Sequence, residues 1–78
     1  MEAFLVKLEP PSKSQQLSVH QGEEFIFVLD GSMTVRLGEV SEVVGVGDSI
    51  YFHSSVPHLV TAAAEQPALV LAVIYSGV

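Results

Sequence analysis

The sequence predicts an all-β domain, an antiparallel sandwich or barrel of about seven or eight short strands. Three observations carry that expectation. No segment repeats its apolar residues at helical spacing. Short runs rich in β-branched and aromatic residues recur roughly every 8 to 12 residues, with turn chemistry between them. Two of these runs, FIFVL (25–29) and ALVLAVIY (68–75), are apolar on both parities, so both faces of those strands need cover.

The first strand is expected over AFLVKL (3–8), closed by Pro10-Pro11, since proline donates nothing to a ladder. PPSKSQQ (10–16) is the one loose stretch and reads as a surface loop. A short strand is expected over QLSVH (16–20), after which Gly22 lets the chain bend across HQGE. Asp30-Gly31, set between FIFVL and MTVRL (33–37), is a hairpin signal, because both residue types tolerate positive φ. A second hairpin at Gly38-Glu39 joins MTVRL to SEVVGV (41–46). Gly45 and Gly47 bracket a turn into SIYF (49–52), and HSSVP (53–57) breaks the pattern with small residues and Pro57. HLVTAAA (58–64) and ALVLAVIYS (68–76) complete the set, separated by EQP.

The totals exclude several functions. Seventy-eight residues make one small domain, which hides only about 60% of the surface its unfolded chain exposes. With no cysteine, disulfides, a thiolate nucleophile and a thiolate metal site are all ruled out. Support must come from the core, from oligomerisation or from a metal. At 49% hydrophobic and 15% charged, the chain favours the first two. A homodimer is the expected cover for the second apolar parity.

Nine Asp+Glu against three Lys+Arg give a formal charge of −6. Phosphate backbones are held by clustered cations, and Lys7, Lys13 and Arg36 are scattered singly. The chain itself is therefore not expected to bind nucleic acid or an anionic membrane. No apolar run approaches the ~20 residues that span a bilayer. The segment MEAFLVKLEPP lacks the basic flank and cleavage site of a signal peptide, so a soluble, cytoplasmic chain is expected.

Alternation along the strand after Gly22 singles out one group of residues. If Glu24 faces inward, so do Ile26 and Val28, while Phe25, Phe27 and Leu29 face out. A carboxylate at the inner mouth of a barrel is costly unless paired, hydrogen-bonded or bound to a cation. His20 lies four residues upstream across the bend, and His58 opens a later strand. If that strand packs near the first, two imidazoles and one carboxylate converge. Such a set suits a divalent transition metal with open coordination positions. The plainer alternative is that His20 and Glu24 hydrogen-bond at a rim while His58 caps a strand.

The order and spacing of these residues resemble the cupin superfamily. Its first motif, G-x5-H-x-H-x3,4-E-x6-G, is matched by SVHQGEEFIFVLDG, with His20, Glu24 and Gly31 in register. Its second, G-x5-P-x-G-x2-H-x3-N, is matched by GDSIYFHSSVPH, with Gly47 and His58 in register. The resemblance implies a cupin fold, a small antiparallel β-barrel of jelly-roll type, with His20, Glu24 and His58 at three of the four usual metal positions. Ser18 replaces the first histidine, His53 the proline, Ser55 the glycine and Ala62 the asparagine. Ser18 then either supplies a hydroxyl or a water to the ion, or marks a weakened or lost site.

GEEF, VLDG and GDSIYF…SSVPH are similar to the cupin domain that ends many bacterial helix-turn-helix regulators. That similarity implies that residues 1–78 form a single cupin domain, the sensor half of a longer regulator or a stand-alone relative. Its partner would be a small-molecule effector. Its metal would be zinc, nickel or iron, and Ser18, Tyr51 and His53 are the candidate ligand contacts. A small metalloenzyme of dioxygenase, isomerase or lyase type, using the same three residues, is the rival reading.

Other residues have plainer roles. His53 is either an extra pocket ligand or an exposed loop histidine. Of Tyr51 and Phe52, one is expected in the core and the other at the cavity or dimer interface. Glu23 should face solvent, Ser54 and Ser55 should be turn residues, and Met33 and Arg36 should lie on opposite faces. Ala62 to Ala64 either leave room for a ligand near His58 or end a surface strand.

Overall fold

The computed structural model describes residues 1–13 and 15–76; Ser14, in the loop expected over 10–16, lies outside the described residues, as do residues 77 and 78. Among the described residues there are seven strands and no helix. In chain order they are β1 (Glu2–Leu8), β2 (Glu23–Asp30), β3 (Ser32–Leu37), β4 (Val40–Gly45), β5 (Ser49–His53), β6 (His58–Ala62) and β7 (Ala68–Tyr75). Two antiparallel sheets face each other, one ordered β1-β7-β2-β5 and the other β4-β3-β6. The all-β expectation holds. No helix among the described residues is long and apolar enough to cross a membrane.

Period-2 alternation builds the core. Ile26 and Val28 of β2, Val70 and Ala72 of β7 and Phe52 of β5 face Met33 and Val35 of β3 and Val44 of β4. Phe25 and Leu29 are exposed and Phe27 half-buried, as the parity of the strand requires. Met33 is fully buried while Arg36 is exposed, its Nε donating to the Gly38 carbonyl. Ala62 is fully buried opposite Met33 in the β3–β6 ladder. The room left by the small side chain is thus taken up by core packing, whereas Ala63 and Ala64 are exposed.

Two local expectations are corrected. Asp30-Gly31 does not close a hairpin: β2 pairs with β5 and β7, β3 pairs with β4 and β6, and the dipeptide carries the chain from one sheet to the other. A two-residue type I′ hairpin needs positive φ at both central positions, and Asp30 does not have it. The hairpin at Gly38-Glu39 does form, with Leu37 opposite Val40. QLSVH is not a strand; it makes a single bridge, Ser18 to His58. Beyond that bridge His20 N–H turns to the Ser54 carbonyl, so the segment cannot continue along β6.

Candidate metal centre

The three metal candidates meet at one end of the molecule, between the sheets. Glu24 is the first inward residue of β2, opposite Phe52 of β5 and Ile74 of β7. His58 opens β6 on the inner face of the other sheet, opposite Leu37. Its backbone is clamped to Ser18 by Ser18 N–H to the His58 carbonyl, 2.7 Å, and the reverse bond, 2.9 Å. His20 arrives on the chain that leads into β2. The tight bend at Gly22 (φ +120°) returns the chain so that residues 20 and 24 face each other.

Nε2 of His20 lies 3.2 Å and Nε2 of His58 lies 3.1 Å from the same carboxylate oxygen, Oε2 of Glu24. The candidate ligand atoms of all three residues fall within 4.8 Å of one another. The Glu24 and His58 side chains are 9% and 7% exposed, and that of His20 is 45% exposed, so the site is buried on one side and open at His20. The two imidazoles stand edge to face at 5.2 Å, and Phe52 packs against His58 at 5.1 Å.

The far nitrogen of each ring faces a backbone carbonyl: His58 Nδ1 is 2.8 Å from Val56 O and His20 Nδ1 is 3.3 Å from Gln21 O. A carbonyl can only accept, so Nδ1 is the ring nitrogen placed to donate to the backbone, and Nε2 is the one directed at Glu24. Backbone partners of this kind orient and fix the tautomer of metal-binding histidines. Two imidazole nitrogens and a carboxylate then converge. Those contacts become attractive only with a proton on Nε2 or a cation at their centre. A divalent transition metal fits this donor set.

The other candidate contacts fall elsewhere. Ser18 is exposed and touches the site through its backbone bridge to His58; directly opposed residues share a face, so it sits beside that histidine. Tyr51 and His53 do not join the three. They lie on the outward face of β5, because Phe52 between them takes the inward parity. Their rings meet edge to face at 5.7 Å. Glu23, expected to be solvated, is half-buried and accepts a hydrogen bond from the Tyr51 hydroxyl. That bond, with desolvation and the carboxylate's charge, holds the Tyr51 phenol above its ordinary pKa. Tyr51, Glu23, Phe25, Val73 and Tyr75 line a shallow hollow on this outer face.

One site residue was missed. Ser54, read from sequence as a turn residue, does lie in a turn, yet it is fully buried and its hydroxyl donates to Glu24 Oε2 at 2.9 Å. The signal was available: continuing the alternation of β5 past Phe52 and His53 turns residue 54 inward.

The cupin domain profile matches residues 4–74, from within β1 into β7 and across both halves of this site. No match to the chain was found among curated proteins. Solved structures align over almost the whole chain. Hydroxypropylphosphonic acid epoxidase from S. wedmorenis matches at 29% identity and a TM-score of 0.81, covering 94% of this chain and 42% of that one. A transcriptional regulator of the HTH_3 family from Vibrio cholerae matches at 29% identity and 0.77, covering 92% and 40%. The protein TT1209 from Thermus thermophilus matches at 29% identity and 0.76, covering 92% and 69%. HppE is also matched in iron(II) and cobalt(II) forms. The chain thus spans less than half the length of the epoxidase and of the regulator. Its profile match, its facing antiparallel sheets and its paired motifs agree: the chain belongs to the cupin domain family.

Proposed function

We propose that this cupin domain senses a small molecule through a divalent metal held by His20, Glu24 and His58. The observation that carries the reading is the meeting of two Nε2 atoms and a buried carboxylate oxygen, with both Nδ1 atoms already facing backbone carbonyls. A bound ion would supply a Lewis-acid point with coordination positions free for an oxygen or nitrogen of the effector. The chain's own residues do the rest. Glu24 offsets charge, the two imidazoles set direction, Phe52 keeps the wall beside His58 dry, and the exposed His20 marks the side of entry. The likeness to the Vibrio cholerae regulator supports a sensing role within a longer protein.

A second reading, a metalloenzyme on the same three residues, draws on the likeness to the epoxidase and to the iron(II) form of HppE. Elemental analysis of protein purified without chelators separates the two. Stoichiometric zinc or nickel with no turnover is the result expected of a sensor. Stoichiometric iron with O2-dependent turnover favours the enzyme. No metal, even after addition of zinc, nickel or iron, sinks both.

The outward face of β1-β7-β2-β5 is proposed to be covered by a second copy of the chain. Leu5, Leu71 and Phe27 align across three neighbouring strands there, and Ala3, Val73, Phe25 and Tyr51 form the next row. Leu5 is 67% exposed and Tyr51 54%, a contiguous apolar surface of the kind that marks an interface. Sedimentation velocity at tens of micromolar is expected to show a dimer, and Leu5→Glu a monomer. A monomeric unmutated chain would remove the proposal.

A further inference from the structure

We infer that Ser54 is the positioning residue of the metal centre, fixing the Glu24 carboxylate against the two imidazoles. The inference rests on the reading of His20, Glu24 and His58 as ligands. Ser54 grips the segment 20–24 at three points. Its N–H donates to the Gly22 carbonyl at 2.9 Å, and its carbonyl accepts from His20 N–H at 3.0 Å. Its hydroxyl donates to Glu24 Oε2 at 2.9 Å. The first two bonds belong to the backbone and survive any side chain. The third is specific to a hydroxyl.

Glutamate needs such a restraint. Its last torsion is broad and roughly two-fold, so a free carboxylate rotates between presenting one oxygen and the other. The oxygen that Ser54 engages is the one both Nε2 atoms approach. A hydroxyl donor on Oε2 holds the carboxylate plane and leaves that oxygen a further lone pair for a cation. Ser54 is fully buried, so water cannot compete for its proton. The residue thus acts on the metal through Glu24 and is assigned no bond to the ion.

Cobalt(II) titration of the chelator-stripped chain, followed by visible absorption, tests this. Ser54→Ala keeps both backbone bonds and is expected to bind cobalt about 10- to 100-fold more weakly, as loss of an outer partner does, with a shifted visible band. Ser54→Thr, which keeps the hydroxyl, restores affinity to within about threefold of the unmutated chain. In a Glu24→Ala background, which leaves the hydroxyl no acceptor there, Ser54→Ala changes the residual affinity by less than about twofold, because the hydroxyl acts through the carboxylate. Unchanged affinity and spectrum in Ser54→Ala overturns the inference. So does an equal loss in both backgrounds, or a folding defect in Ser54→Ala that Ser54→Thr does not repair. An unmutated chain that binds no cobalt overturns the ligand reading itself, before Ser54 comes into question.

Discussion

His58→Ala is expected to abolish metal binding while both sheets stay folded. Among the described residues His58 is the one candidate ligand that comes from the β4-β3-β6 sheet, so without it no described group on that sheet completes the set. Two ligands on the segment 20–24 remain, and affinity should fall by more than the roughly 100-fold that losing an outer partner can cost. Stability should suffer less. The imidazole is buried against Phe52, and its deletion leaves a cavity worth about 2–4 kcal/mol on the scale of large-to-small core changes.

Thermal unfolding with and without metal reads both effects at once. A ligand at 100 times its dissociation constant adds about 2.7 kcal/mol to the folded state. For a domain of this size each kcal/mol moves Tm by about 4–8 °C, so the unmutated chain should gain roughly 10–20 °C on loading. The variant should unfold cooperatively at a lower Tm and gain nothing from metal. A gain equal to that of the unmutated chain would show that His58 is not a ligand.

The parts legible from sequence were those that alternation decides. Once Glu24 is taken as inward, period 2 places Ile26 and Val28 beside it, and the opposite parity would have put Phe25 and Phe27 inside. The spacing of His20 and Glu24 around Gly22 likewise fixed one half of the site locally. The path of the chain between sheets was not legible. Asp30-Gly31 carries a hairpin signature, yet β2 is already flanked on both edges by β5 and β7, and partners so distant in sequence leave no mark on the dipeptide. QLSVH failed for a related reason. Its strand-like composition is overridden when His20 N–H bonds to the turn carbonyl of Ser54 instead of to β6. Ser54 is legible only by carrying the β5 alternation on past Phe52, because turn composition reports backbone shape and says nothing of segment 20–24 folding over the residue.

Gly22→Ala is expected to be the most damaging single-methyl change in the chain. Gly22 has φ +120°, which L side chains rarely adopt, and an added Cβ would sit 2.2 Å from the Tyr75 carbonyl oxygen and 3.0 Å from Ser76 Cα. The obstacle is backbone, and it belongs to the end of β7, which is paired to both β1 and β2, so it cannot step aside cheaply. Gly47 provides the control, with φ +86° and nothing within 4 Å of an added Cβ, so that Gly47→Ala carries the torsional strain alone. That strain is of order 1–3 kcal/mol. Gly22→Ala adds the clash and should exceed about 3 kcal/mol, a large share of the roughly 4–12 kcal/mol available to a domain of this length. Urea unfolding should therefore show a much lower midpoint for Gly22→Ala than for Gly47→Ala. Relief of the clash must come from opening the bend between His20 and Glu24, so metal affinity should fall along with stability in the first variant and hold in the second. Equal midpoints for the two variants would mean that the bend yields freely, and the close approach of residues 20 and 24 would then need another cause.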